Sequence, residues 1–549
     1  MLLAESRFVV AQLAVQGLTQ QVHGPVQQRP HEVGVGQQAA VVGDGVSLAS
    51  QACIGAQGSG MFEQVMQLPP HWQPLCDVVR GLGPPFGQGQ KFVSSRVDLQ
   101  QLRIARLDFN GLNSVNLAPA DLPKDGGRFD LAIAIGLLVA SDQLNTPHLD
   151  TVEVLGELAL SGAVRGVPGV LPAKRAASSV GRHLLMPRSN AAEAALAPGA
   201  GHACASLLEA CALLSAPTLP APDTTEPPVP AAVPPLSLDD VVGQQDAKWA
   251  LVVAAAGGHN LLMLGPPGTG KTMLARRLPG LLPILREREA LEVAIVHSVA
   301  SRFGSAPAFG LRPFRDPHHT ASAAAMVGGG SPPRPGEVSL AHQGVLFLDE
   351  LPEFDRRVLE VLREPLEAGD VVIARARMSV RFPARFQLVA AMNPCPTGQV
   401  CKGPDQCQCT PEQARRYRAK LSGPLLDRID LHIQVPPVSP SALLGEQRDN
   451  NDNQLRERVS AAQATQWARR GKLNRDLTAA ELEGDCVLLP AARRLLERAA
   501  ERLGLSARAL HRVLRVARTL ADLADRETVL EQDLLQALSF RQLDTASSR

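Results

Sequence analysis

The sequence predicts an α/β protein: a doubly wound P-loop sheet, followed by a helical lid and preceded by a smaller α+β domain. Three observations carry that expectation. The run Gly265, Pro266, Pro267, Gly268, Thr269, Gly270, Lys271, Thr272 completes a phosphate-loop motif between an apolar strand-like stretch, 260–264, and a helical pattern. Two further apolar runs, 345–348 and FQLVAAMN ending at Asn393, alternate with helical segments up to about Pro437. Beyond Pro440 the apolar spacing turns helical throughout, at 455–470, 491–502, 507–523 and 531–538.

Taken in order, residues 1–112 are an atypical region, rich in Gln, almost free of Lys and without a sustained period of 2 or 3.6. The abrupt change near Asn113 fits a start set in the wrong frame or place better than a divergent domain. Residues 113–215 read as an α+β unit: a short strand and turn, an apolar helix or strand at 131–140, then VEVLGELALSG, HLLMPRS and ASLLEACALLS as strand, strand and helix. Residues 216–236 carry Pro217, Pro220, Pro222, Pro227, Pro228, Pro230, Pro234 and Pro235. That density forbids helix and favours an extended, semi-rigid linker. The ATP-binding core, 237–440, opens on a helix for which Asp239 and Asp240 are the N-cap candidates, and 441–549 close the chain as helices.

Composition excludes several classes. Lys plus Arg, 55, nearly cancels Asp plus Glu, 54, for a formal charge of +1, so binding to nucleic acid requires a local basic stripe. Apolar runs such as 131–140 fall short of the roughly 18–20 residues of a membrane span, and no membrane partner is expected. The opening MLLAESRFVVAQLAVQG places Glu5 before its apolar stretch and lacks a charged leader, which argues against secretion. Nine Cys, four of them bunched between 395 and 409, do not form a secreted disulfide framework, and a reducing cytoplasm is the expected location.

The chemistry follows from the motifs. Glycines let backbone N–H groups turn inward around a β-phosphate, Lys271 supplies a point charge for the β and γ oxygens, and Thr272 offers its hydroxyl to Mg²⁺. Asp349 and Glu350 end an apolar strand, where unpaired carboxylates are costly. Asp349 suits the metal and Glu350 the attacking water. Asn393 ends a third strand and suits the water or the γ-phosphate. The expected cofactors are therefore ATP and Mg²⁺. Arg315, His318 and His319 in FRDPHHTAS look like a metal or phosphate site, a stacked turn or, from their place between the two nucleotide motifs, a pore loop. Cys395, Cys401, Cys407 and Cys409 lie in a Gly/Pro-rich loop that could wrap Zn²⁺, although their spacing departs from paired C-x2-4-C ligands.

These residues, with GPLLDRID at 423–430 and the helical end, resemble the AAA+ ATPases. The longer stretches VNLAPADLPKDGGRFDLAIAIGLL, FRDPHHTASAAAMVGGG, RPGEVSLAHQGVLFLDELPEF and LREPLEAGDVVIARA are similar to the Mg-chelatase-like members of the YifB/ComM family. The likeness runs from about Asn113 to Leu543. It implies that Arg428 is a finger donated across a subunit interface, that Arg508 is the sensor arginine of the lid, and that the chain forms a hexameric ring. It also likens the first domain to a Lon-protease-like, ribosomal-protein-like unit, here without a matched Ser/Lys pair. In such proteins a hairpin before the Asn393 strand projects into the pore. If 371–382 is extended, Arg375, Arg377, Ser379 and Arg381 share one face there, a basic surface for single-stranded or branched DNA. The resemblance implies a branch-migration helicase of natural transformation; a magnesium-chelatase motor subunit and a Lon-like remodelling ATPase are the alternatives.

Overall fold

The computed structural model describes residues 127–222, 236–300, 309–375, 378–398, 409–438 and 451–541. Residues 1–112, Arg377, Cys401 and Cys407 lie outside the described residues. The chain divides into two compact units, 1–228 and 229–549.

In the first unit the ambiguous apolar run is a helix, Asp130–Ala140. Strand β1 (Val152–Val154) follows, then a small antiparallel pair, β2 (Glu157–Leu158) and β3 (Val164–Arg165). The helix Val170–Ser178 leads to β4 (His183–Pro187), and a short helical stretch leads to β5 (Gly201–Cys204). β1, β4 and β5 form a parallel sheet in that order. The helix Leu207–Ser215 closes the unit, its first turn capped by the Ser206 hydroxyl, which accepts from the Glu209 amide at 3.2 Å.

The second unit is built on five parallel strands in the order β14, β6, β13, β10, β7. They are β6 (Leu261–Leu264), β7 (Phe314–Arg315), β10 (Val345–Leu348), β13 (Gln387–Met392) and β14 (Leu431–Gln434). A two-residue pair, β8 (Gly328–Gly329) with β9 (Arg334–Pro335), and a longer hairpin, β11 (Asp370–Arg375) with β12 (Met378–Pro383), lie outside this sheet. The sheet is buried on both faces, which is why its strands read as unbroken apolar runs. Leu261, Met263, Val345 and Phe347 join one core; Leu262, Leu346 and Leu348 join the other. The first core also takes in the helix Gln245–Gly257 and the C-terminal helices Asp452–Arg470 and Ala507–Leu523, so the lid packs against the helix that covers one sheet face.

Asp239 does not cap the helix that follows it. That helix begins at Gln245 behind Gln244, a residue in the left-handed region without a capping side chain. Asp239 instead accepts from the amides of Asn451 and Asp452 at 3.2 and 3.3 Å, capping the lid helix more than two hundred residues away, while Asp240 pairs with Arg277 at 3.3 Å. Capping chemistry is visible in sequence; the helix it serves is set by the tertiary fold.

The end of the lid returns to the sheet edge. The amide of His432 in β14 donates to the Phe540 carbonyl at 2.7 Å, and Arg541 donates to Ile429 at 2.8 Å. His432 is 2% exposed, and burial, reinforced by Arg541 and Arg512, pushes its pKa from 6.5 down to about 3. The unfolded chain therefore takes up a proton between these values that the native state refuses. Stability contributed by the neutral ring is present above pH 6.5 and is lost as pH falls through that window. We expect His432 to remove about 2 kcal/mol of unfolding free energy between pH 7 and pH 5, and His432→Leu to flatten that slope in urea titrations.

Candidate nucleotide site

The phosphate loop leaves the carboxyl end of β6. Gly265 is required there by close approach, since a Cβ would sit 2.3 Å from the Val435 carbonyl of the neighbouring chain segment. Gly270 holds φ +86, a left-handed turn that aims the loop into the helix Lys271–Ala275. The Lys271 ammonium, 8% exposed as a residue, donates to the carbonyls of Gly265 and Pro266 at 2.7 and 2.9 Å and to Asn393 Oδ1 at 3.2 Å. Burial pulls its pKa below the usual lysine range, and the carboxylates of Asp349 and Glu350 act in the opposite direction. The residue is thus held by exchangeable oxygens, facing two acids across a strand end.

Thr272 Oγ1 donates to Asp349 Oδ2 at 2.6 Å, so the two proposed magnesium ligands already touch. Hard oxygen donors of this kind, a hydroxyl and one carboxylate completed by phosphate and water, suit Mg²⁺. The Glu350 amide donates to Asp349 Oδ1 at 2.9 Å, and Glu350 itself adopts φ 51, ψ 47. A left-handed glutamate is an unusual conformation for an L side chain, and it turns the carboxylate out of the strand. His319 Nδ1 lies 3.5 Å from Glu350 Oε2.

The FRDPHHTAS segment, read from sequence as a metal or phosphate site, a turn with stacked imidazoles or a pore loop, borders Glu350 through this contact. Arg315 is committed to Glu337 through two bonds of 2.7 and 3.0 Å, and His318 bonds the Thr320 hydroxyl at 2.8 Å while its ring lies 4.1 Å from that of His319. Among the described residues no group of three or more His, Cys, Asp or Glu is placed to hold a metal. Cys395 and Cys409 both approach the Thr397 hydroxyl, at 3.8 and 2.6 Å.

Arg428 follows the short helix Gly423–Leu426. Its guanidinium pairs with Glu367 and donates to the Pro424 carbonyl at 2.6 Å. Arg508 is exposed in the first turn of the helix Ala507–Leu523. One turn on, Arg512 is buried and reaches Asp427 at 3.1 Å. No sequence signal announces this link between the lid and Asp427, because an arginine at helical spacing looks the same whether it faces water or a carboxylate. Asn260 was missed for the same reason. Its Nδ2 donates to the Arg428 carbonyl at 2.8 Å, its Oδ1 accepts from the Leu388 amide at 2.8 Å, and its amide donates to Asp430 at 3.2 Å. Burial works to raise the Asp430 carboxyl, yet contacts with His259, Arg512 and Asn260 hold it below the usual range.

The basic segment is not one extended strand. Strands β11 and β12 run antiparallel, and Arg375 pairs with Met378 while Arg381 pairs with Val372. Cross-strand partners share a face, so Arg375 lies on the face of Val371 and Ile373, and Ser379 and Arg381 lie on the other. The expected single-faced stripe is corrected to two arginines on opposite faces of a hairpin, both exposed. A turn within a β-prone run reverses the alternation, and no period-2 count reveals it.

Three family models match the chain: subunit ChlI of Mg-chelatase over 105–190, magnesium chelatase subunit ChlI over 237–443, and its C-terminal part over 450–541. The chain is 49% identical over 435 residues to "Competence protein ComM" of Haemophilus influenzae, covering 78% of this chain and 85% of that one. It is 48% identical over the same length to "Uncharacterized protein YifB" of Escherichia coli, covering 78% and 85%. It is 29% identical over 177 residues to "Magnesium-chelatase 38 kDa subunit" of Cereibacter sphaeroides, covering 29% and 53%.

The geometry separates binding from chemistry. Lys271→Ala is expected to abolish retention of a fluorescent ATP analogue. Glu350→Gln is expected to keep that binding within about twofold and to cut turnover by roughly 10²–10⁴, the size of a general-base contribution. Retained hydrolysis in Glu350→Gln, measured by phosphate release, removes Glu350 from the role of base.

Proposed function

Because the chain belongs to the YifB/ComM family of Mg-chelatase-like AAA+ ATPases, we propose that it hydrolyses ATP with Mg²⁺ in a hexameric ring and spends the cycle moving DNA. The observation that carries the nucleotide half is the paired contact of Thr272 with Asp349 and of Lys271 with Asn393 at the mouth of one parallel sheet. Thr272 and Asp349 would hold the metal, which when bound neutralises phosphate charge. Lys271 exchanges its loop carbonyls for β and γ oxygens. Glu350 accepts the proton of the attacking water, and Asn393 orients that water or the γ-phosphate. No helix among the described residues is long and apolar enough to cross a membrane.

The DNA half is supported by the exposed arginines of the β11–β12 hairpin and by the word competence in the name of the Haemophilus relative. Arg375 and Arg381 on opposite faces suit a strand threaded between neighbouring hairpins better than one laid along a single face. Arginines repeated around a ring concentrate positive charge that the chain as a whole lacks. A role in branch migration during natural transformation follows from this reading. A second reading, the motor subunit of a chelatase-like complex, is favoured by the partial match to the magnesium-chelatase subunit. Turnover measured with four-way junction DNA, with a porphyrin-loaded partner and with unfolded protein separates these readings; stimulation by the second or third alone defeats the DNA reading.

Two further outcomes are expected. Arg375→Ala with Arg381→Ala should weaken binding to a labelled single strand about tenfold or more in fluorescence anisotropy, and flatten the salt dependence by about two phosphate contacts. Unchanged affinity defeats the hairpin assignment. Arg428→Ala and Lys271→Ala subunits should each be inactive alone and regain part of the turnover when mixed, because an intact Arg428 then faces an intact phosphate loop across an interface.

A further inference from the structure

The helix Arg363–Ala368 ends at Gly369 and runs directly into β11, so its last turn is the root of the arginine-bearing hairpin. The other strand is tied to the same point. Asp370 pairs with Pro383, and the Ala384 amide donates to the Gly369 carbonyl at 2.8 Å. Glu367 lies in that last turn, and its carboxylate takes one terminal nitrogen of Arg428.

The pair is uneven. The Arg428 side chain is 12% exposed and Glu367 is 59% exposed. The second terminal nitrogen of Arg428 is held by the Pro424 carbonyl at 2.6 Å. These contacts take one donor from each terminal nitrogen, and Nε is buried without a partner, so a phosphate gripped by both terminal nitrogens has to displace or share the Glu367 and Pro424 contacts. The backbone beneath it is fixed. The Arg428 carbonyl is bonded by Asn260, and the adjacent Asp427 by Arg512 at 3.1 Å. Only the side chain is free to change partners. An ion pair with one exposed member is modest, strong enough to bias the arginine and weak enough to release it.

We propose that Glu367 is a latch on Arg428. It retains the arginine within its own subunit until displacement of the β11–β12 hairpin carries the carboxylate away, linking occupancy of the hairpin to delivery of the arginine to a neighbour's nucleotide. The proposal rests on the trans-acting role read for Arg428, and its test keeps the two apart.

Steady-state ATP turnover of the full chain is measured without DNA, with a single-stranded oligonucleotide and with a four-way junction. Glu367→Gln preserves size and removes the charge at an exposed site. It is expected to raise DNA-free turnover about threefold, the factor that about 0.7 kcal/mol supplies, and to shrink the ratio of DNA-stimulated to DNA-free turnover by the same factor. In the Arg428→Ala background the same change is expected to do nothing. Unchanged DNA-free turnover in Glu367→Gln overturns the latch, and so does a rise that persists without Arg428. Wild-type turnover in Arg428→Ala alone overturns the trans-acting reading itself, a result distinct from either. The DNA-free comparison stands even where DNA is not the stimulating ligand.

Discussion

The parallel register at the centre of the sheet is the constraint on which the site depends. Met392 lies beside Leu264 and Ala390 beside Leu348, so three strands end within a residue or two of one another. Lys271, Asp349 and Asn393 follow those ends, and the ligand-facing side of an open α/β sheet is where its strands terminate. Because β6, β10 and β13 are buried on both faces, a slip of one residue would exchange every side chain between two apolar cores. Burial thus fixes the register, and the register fixes the distance between the lysine and the acids.

Polar groups at the opposite, amino-terminal end of the strands bind the rest of the unit to that centre. Asn260 satisfies three strand or loop segments at once, and Gln387 donates to the carbonyls of Ala254 and His259 at 2.9 and 2.7 Å. Buried amides with this many partners are stable only when every partner is present, so they make the positions of Arg428 and Asp430 a consequence of sheet assembly. His259 continues the path, bonding Thr519 of the lid at 2.8 Å. The lid and the Arg428 segment therefore share a foundation. Their relation to the nucleotide is set by the same buried groups.

The loops outside the sheet are held more lightly, and the exposed ion pairs there are suited to exchange. Arg276 with Asp316, at 2.8 Å, and Arg381 with Asp370, at 3.6 Å, are both solvent-facing pairs of modest worth. Gly328 bridges the two hairpins, since a Cβ there would strike Ile373 of β11 and the Arg334 carbonyl of β9. The basic hairpin is thus packed against Gly328, and its root is paired through Glu367 with Arg428. Lys271, Asp349 and Asn393 follow buried strand ends, while these contacts sit on elements only partly buried.

The phosphate loop, the acidic strand end, the Asn393 strand and the lid helices are all legible in the order of the amino acids. Each is a local pattern, a motif or an apolar period, that needs no distant partner to be read; 345–348 and 507–523 match the observed elements residue for residue. What only the tertiary structure decided are the pairings between distant side chains. Asp239 caps a helix from another part of the chain, Arg512 rather than Arg508 reaches Asp427, His319 meets Glu350, and Arg428 is held by Glu367. The reversal between β11 and β12 belongs with these, because alternation continues in both strands and only their antiparallel pairing reveals it. Periodicity records which face of an element is buried. It carries no information about which charged group waits on the other side, and that is where the coupling of this protein resides.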